Sequence, residues 1–283
     1  YCFPFVFALQ IVIIFNNVII LYVLRERILV FGMKEIRLIG LTSIPIVKPG
    51  DDIAQLIFNA LNNENVPLDD GDIIVIAQTI VSRAEGRIVN LNEITPSKFA
   101  ETIASTYNKD PRHVEIILRE SKSIVRMGNG HIITETHHGF VMANSGVDRS
   151  NVPGDDTVSL LPIDPDKSAR MIRSKLKKLT GKEVAVIIID SMGRPLRNGI
   201  ISGAIGVSGI KPLKDIRGEK DLFGYVMKTT VIALADELAC AAALVMGETN
   251  EGIPVVIIKG VNYEKGEYSA KELIMPIQKD LFR

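Results

Sequence analysis

Apolar, β-branched runs recur along the chain at 36–41, 72–77, 131–134, 140–143, 184–189, 227–232 and 253–258, and most close on Gly, Asn or Asp, as strands do before turns. Between them the apolar positions switch to helical spacing at about 51–62, 97–106, 111–121, 165–180 and 235–246. Several of these helices carry their own boundaries. Asp110 before Pro111 reads as an N-cap with proline at the first helical position, and Gly181 follows Leu176, Leu179 and Thr180 as a stop. In 165–180, Ala169, Ile172, Leu176 and Leu179 share one stripe while Lys175, Lys177 and Lys178 lie outside it, which predicts a helix with one buried face. Strands and helices do not alternate strictly, because 131–143 reads as a hairpin around His137, His138 and Gly139. The pattern predicts an α+β fold rather than a doubly wound parallel sheet.

The opening residues follow a different pattern. Residues 3–24 form a 22-residue stretch without a charge, followed by Arg25, Glu26 and Arg27, and hydropathy alone allows such a stretch to span a bilayer. Asn16 and Asn17 sit near its middle, where polar groups are costly. Met33 opens a segment, MKEIRLIGL, that reads as an ordinary first strand. Residues 1–32 are therefore expected to be extraneous to a working protein that starts at Met33, with a membrane anchor as the alternative. From there to residue 283 no repeat, low-complexity tract or long linker appears, so 33–283 is expected to be one compact unit.

Composition narrows the function classes. Hydrophobic residues make up 47% of the 283, ample for a core, and Lys plus Arg balance Asp plus Glu at 33 each. No global field favours nucleic acid or an anionic membrane, so any anion must meet a local site. The two cysteines, Cys2 and Cys240, leave neither a disulfide framework nor a thiolate zinc site, which fits a cytoplasmic protein. His113, His131, His137 and His138 show no ligand spacing and read as surface or strand-face residues.

Three acidic residues carry the candidate chemistry. The run VAVIIID ends on Asp190, which places a carboxylate at a strand's carboxyl end, where it either faces a cleft or caps the turn before Gly193. In GFVMANSGVDRSN an apolar strand to Ala143 enters a tight turn of Asn144, Ser145 and Gly146, then reaches Asp148 and Asn151; these are either site residues or a self-capping loop. The helix ADELACAAALVMG stops at Gly247, and Glu248 enters the loop ETNEG that runs into a buried strand, a place with no packing reason for a Glu. Carboxylates so placed suit Mg2+ or Mn2+ completed by substrate phosphates. No GxxxxGK[ST] loop or GxGxxG fingerprint occurs. Gly199, Gly203, Gly206 and Gly209 either let backbone approach a ligand or mark a strand packed closely on a neighbour. Arg194 and Arg197, and Arg83 and Arg87 from the end of another strand, are candidate forks for phosphate or carboxylate, with solvated arginines as the alternative.

Eight ordered segments from 44 onward carry a resemblance: IPIVKPGDD, QTIVSRAEGR, NSGVDRSN, LPIDPD, DSMGRPLRNG, AIGVSGIK, GEKDLFG and MGETNEGIP. The chain from Met33 to its end resembles the coenzyme F420-0:L-glutamate ligase family. That resemblance implies transfer of L-glutamate to F420-0, a deazaflavin with a phospholactyl tail, driven by GTP. It also implies two divalent cations (Mg2+ or Mn2+), a monovalent cation (K+), a γ-linked second glutamate, and an intertwined homodimer of α+β subunits with mixed or antiparallel sheets and helices in two lobes. Carried over by motif, the metal ligands are Asp148, Asp190, Ser191 and Glu248. The GTP contacts are Ile44, Pro45, Ile46, Val47, Gln78, Thr79, Arg83, Asn151 and the run Met246, Gly247, Glu248, Thr249, Asn250, Glu251, Gly252 and Ile253. Three positions depart from some members: Arg83 stands where lysine often occurs, Ser191 where threonine is common, and Gln78 where a small hydroxyl residue can be found. Two other readings remain: a phosphotransferase that stops at phosphorylation, and a membrane-tethered nucleotide-binding protein.

Overall fold

The computed structural model describes residues 11–15, 18–22, 29–32 and 35–281, the first three segments as backbone only. The chain divides into two units, residues 1–37 and 38–283. In the first, β1 (Ile11–Phe15), β2 (Val18–Tyr22) and β3 (Leu29–Gly32) form an antiparallel sheet in the order β1-β2-β3. The apolar stretch 3–24 is thus seen as strands where it is described, and its remainder lies outside the described residues. Among the described residues, no helix is long and apolar enough to cross a membrane.

The second unit takes in β4 (Arg37–Leu41) from Leu38 onward, then α1 (Ile53–Asn63), β5 (Ile73–Ala77), α2 (Gln78–Ala84) and β6 (Ile88–Asn90). Next come α3 (Lys98–Tyr107) and α4 (Pro111–Arg119), then the strands β7 (Ser121–Gly128), β8 (His131–Thr136), β9 (Val141–Ala143) and β10 (Thr157–Ser159). The chain then forms α5 (Pro165–Thr180), β11 (Ala185–Gly193), β12 (Ile200–Ser208), β13 (Lys214–Asp215), β14 (Val231–Ile232), α6 (Leu234–Met246) and β15 (Val255–Lys259). The α+β expectation is met, with a mixed five-stranded sheet, β12-β11-β5-β15-β4, in which β11 and β5 run parallel, β12 pairs antiparallel to β11 and β15 antiparallel to β5.

Its middle strands read IIVIA, AVIII and VVIIK because both faces are covered: Ile73–Ile76, Ala185–Ile188 and Val255–Val256 are essentially inaccessible. Helix α5 lays Ala169, Ile172 and Leu176 on this core, and Asp164, as N-cap, accepts from the Lys167 N–H at 2.9 Å. A second hydrophobic cluster gathers Ile103, Val114, Ile117, Ile132 and Val158, from α3, α4, β8 and β10.

Several expectations are corrected. The run 227–232 is a strand only at Val231–Ile232, because its earlier residues belong to an exposed arm. The helix expected to reach 121 stops at Arg119, and Ser121 begins a strand that polar positions disguised. Of the two readings of the glycine-rich 199–209 segment, the closely packed strand is the one seen, with residues 200–208 forming the edge strand β12. A Cβ on Gly206 would lie 2.5 Å from the Pro165 backbone, so this strand needs glycine to let α5 approach.

Candidate functional site

The parallel register of β5 and β11 runs from Ile73↔Ala185 to Ala77↔Ile189 and stops there. The next residue on one chain is Gln78, the first of α2, and on the other Asp190. Asp190 therefore stands at the carboxyl end of the parallel pair, not at the end of its own strand, which continues to Gly193 against β12 alone. Gln78 is buried, accepts from the Ser82 hydroxyl at 2.8 Å through Oε1, and hydrogen-bonds the Asp190 carboxylate through its side chain. With Oε1 so engaged, its amide nitrogen is the donor to Asp190.

Asp148 is delivered by a strained turn. Asn144, Ser145 and Gly146 take φ of 54°, 54° and 69° in succession, a left-handed path that costs roughly 1–3 kcal/mol for each non-glycine residue. Ser145 is buried, and its hydroxyl lies 2.7 Å from the hydroxyls of both Ser121 and Thr134, so three hydroxyls pin the turn. Asp148 exchanges backbone hydrogen bonds with Ser159 at 3.1 and 2.8 Å. Arg149 then donates to Asp110 at 3.0 Å, and Arg112 joins Asp110 to Asp156 at 2.8 and 2.9 Å. These ion pairs moor the 148–156 loop to the start of α4; Arg112 and, further down, Arg149 hold the Asp110 carboxyl well below the usual carboxylate range. The Asp148 carboxylate itself accepts from the Ser150 N–H at 3.0 Å and from the Ser150 hydroxyl, so the self-capping reading also holds. Asn151, with φ of 51°, is exposed on the same loop.

Glu248 follows Gly247, whose φ of 69° ends α6. A Cβ there would lie 2.1 Å from the Glu251 carboxyl carbon, so the 247–251 loop closes only on glycine. Glu251 accepts from the Thr249 N–H at 2.8 Å and stays within the loop, whereas Glu248 reaches out to the Ser191 hydroxyl at 2.9 and 3.0 Å. Thr249, Asn250 and Gly252 are exposed, Ile253 is half-buried, and Met246 is buried. The Ile44–Val47 loop is fixed at both ends. The Glu64 carboxylate accepts from the Thr42 and Ser43 N–H groups at 2.9 and 2.7 Å, and Asp51 accepts from the Lys48 N–H at 2.7 Å. Within it Val47 is buried while Ile46 is 79% exposed, presenting an apolar side chain to a ligand or solvent.

Electrostatics tie three of these segments together. Burial first, and then the negative charges of Asp148 and Glu248, push the Asp190 carboxyl up to about 7 against the lowering effect of the Ser191 N–H and Gln78. Among the described residues, no three His, Cys, Asp or Glu side chains stand close enough to cage an ion by themselves. The donor set, two carboxylates crowding a third plus a hydroxyl, nonetheless fits a hard cation that takes few protein ligands and completes its shell with water and phosphate. Arg83 lies on α2 rather than at a strand end; it is half-buried, its Nε has no hydrogen-bond partner among the described residues, and burial lowers its pKa. Arg87 is excluded as a free fork, since it donates to the Leu161 carbonyl at 3.0 Å and to Glu120 at 2.6 Å. Arg194 and Arg197 lie in the turn beyond β11, the first half-buried and the second exposed. His137 and His138 bond backbone carbonyls of Arg119, Pro162 and Ile163, as side chains holding loops do. Two surface cavities, of about 570 and 450 Å3, open beside the start of α6 and along the lysine face of α5, and neither is lined by Asp148, Asp190 or Glu248.

Fold and site together define an α+β protein with acidic groups on a strand and two loops, and a helix-borne guanidinium with no hydrogen-bond partner on its Nε among the described residues, around the carboxyl end of a parallel strand pair. The profile of the F420-0:gamma-glutamyl ligase family matches residues 42–260, and the chain belongs to that family of ligases. It is 51% identical over 250 residues to the "Coenzyme F420:L-glutamate ligase" of Methanothermobacter thermautotrophicus, covering 88% of this chain and 99% of that one. The protein of the same name from Methanocaldococcus jannaschii is 51% identical over 252 residues (88% and 98%), and that from Methanopyrus kandleri 49% over 241 (84% and 93%).

Proposed function

We propose that this chain is a GTP-dependent ligase that joins L-glutamate to the lactyl carboxylate of F420-0 in coenzyme F420 biosynthesis and then adds a second, γ-linked glutamate. The observation that carries the reading is the half-buried Asp190, with Asp148 and Glu248 acting on it from two other segments. Asp148, Asp190, Ser191 and Glu248 would hold two divalent cations, Mg2+ or Mn2+, and K+ would accompany them. When bound, the cations supply neutralisation of triphosphate and of charge developing in phosphoryl transfer.

The protein's own residues position and screen. Arg83, without a partner on its buried Nε, is suited to a phosphate oxygen of GTP, and Gln78 fixes the direction of Asp190. Thr79, Asn151, the 44–47 loop and the 246–253 segment would frame the nucleotide. The γ-phosphoryl group passes to the lactyl carboxylate, giving an acyl phosphate and GDP. The glutamate amine then attacks the carbonyl carbon, the amide forms and inorganic phosphate leaves. No protein nucleophile is required, so catalysis rests on positioning and electrostatics. A homodimer is part of the proposal, supported by the apolar tip of the arm between β13 and β14, where Leu222 and Phe223 are 99% and 96% exposed.

The test is incubation of the protein with F420-0, GTP and L-glutamate, reading product masses. Glutamyl adducts and GDP are expected, chelation should stop the reaction and Mg2+ or Mn2+ restore it. A phosphorylated product stable without glutamate would instead identify a phosphotransferase, and a requirement for Zn2+ would contradict the ligand set.

A further inference from the structure

Asp236 is an acidic residue that the reaction above does not use. It lies in the first turn of α6, is half-buried, and burial raises its pKa. Its Oδ1 accepts from the Ala204 N–H at 2.9 Å. That amide belongs to β12, an edge strand whose outward polar groups have no strand partner. Helices cover this edge group by group: Cys240 of α6 donates to the Ser202 carbonyl at 3.1 Å, and Asp166 of α5 accepts from the Val207 N–H at 2.8 Å.

Ala204 is not an arbitrary point on that edge. The register of β11 and β12 steps from Ile188↔Gly206 to Ile189↔Ala204, so Ile205 is the extra residue of a β-bulge. The next pair is Asp190↔Gly203. Bulges bend a strand and increase its twist, re-aiming the side chains beside them, and this one sits where β11 loses its parallel partner and Asp190 begins. Gly203 adds no side chain of its own: a Cβ there would lie 2.5 Å from the Met192 methyl and 3.6 Å from the Asp236 carboxylate. The Asp236 carboxylate therefore clamps the bulge from outside the sheet, one residue from the position facing Asp190.

We propose that Asp236 is a positioning residue for the cation site: by holding the Ala204 amide it locks the β12 bulge and sets the direction in which Asp190 is presented. This rests on the reading of Asp148, Asp190 and Glu248 as cation ligands. Asn can accept the same hydrogen bond, and Ala cannot.

The experiment measures Mn2+ binding to the full chain by calorimetry for wild type, Asp190→Asn, Asp236→Asn and Asp236→Ala. Folding is checked by circular dichroism. Asp236→Ala should weaken Mn2+ by tenfold or more and Asp236→Asn by less than threefold. In wild type, Mn2+ should slow hydrogen exchange of the 204–208 backbone, since coupling between bulge and site is reciprocal; this second measurement decides the matter if Asp236→Ala does not fold. Wild-type affinity in Asp236→Ala, an equal loss in Asp236→Asn, or exchange indifferent to Mn2+ would each overturn the proposal while leaving the cation site standing. Absence of Mn2+ binding in wild type would instead overturn the cation reading, and this inference with it.

Discussion

A guanidinium nitrogen buried without an acceptor, as in Arg83, is costly to leave unpaired in the empty protein, and that cost is relieved when an anion arrives. Hydrogen bonds to charged groups contribute about 1.5–3 kcal/mol, so Arg83→Met should raise the KM for GTP roughly 10- to 150-fold while changing kcat less. The same substitution should leave the nucleotide-free protein as stable as wild type or more so, because it removes a desolvated charge. Steady-state kinetics with GTP varied, together with a thermal melt, checks both. A KM within twofold of wild type would end the assignment of Arg83 to the nucleotide. Arg87, four residues on, would behave oppositely: bound to Glu120 and the Leu161 carbonyl, it holds structure rather than a ligand.

At the scale of elements, buried strands and one-faced helices were legible because burial writes their period directly: β5, β11 and β15 are continuous apolar runs, and α5 matches its expected bounds of 165–180. Strand β7 was not legible, since Ser121, Lys122, Ser123 and Arg126 break the apolar pattern of a half-exposed strand. Helix α2 was missed because seven residues are too few for a helical period to declare itself, and with it went the pairing of Gln78 and Asp190. Individual carboxylates of the site were visible, but only tertiary structure brings Asp148 and Glu248 to bear on Asp190. The arm between β13 and β14 illustrates the converse, an apolar segment that is not core. Asp221 accepts from the Phe223 and Tyr225 N–H groups at 2.8 and 2.9 Å, building a turn that displays Leu222 and Phe223 outward. So ordered an apolar tip points to a partner surface, here a second copy. Sedimentation should show a dimer at micromolar concentration, shifted toward monomer by Leu222→Asp with Phe223→Asp; a wild-type protein that sediments as a monomer would refute it.

For the whole molecule, the acidic site links stability to pH and to cations. An unfolded Asp has a pKa of about 3.9. In the fold, Asp190 titrates at about 7, raised by burial first and by Asp148 and Glu248 after it. Between those values the folded state holds a proton that the unfolded state has released, so its stabilising contribution is complete below about pH 4 and is lost as pH rises toward 7. The loss is on the order of 2–4 kcal/mol, or several degrees in Tm for a chain of this size. His113 opposes it: burial and the charges of Arg149 and Lys109 lower its pKa, so it destabilises the fold as pH falls through the ordinary histidine range. Asp236, raised by burial, acts in the same sense as Asp190. Both of these contributions cancel in the difference between wild type and Asp190→Asn, which isolates the one carboxyl. Without cations, Asp190→Asn should melt at a higher temperature than wild type at pH 8 and the gap should close by pH 4, while its glutamylation activity is abolished. Adding Mn2+ should raise the Tm of wild type at pH 8 but not that of the variant, because a bound cation removes the repulsion that the substitution removes by other means. Parallel melting curves across that pH range for the two proteins would show that Asp190 carries no such strain, and the cation site would have to be sought elsewhere.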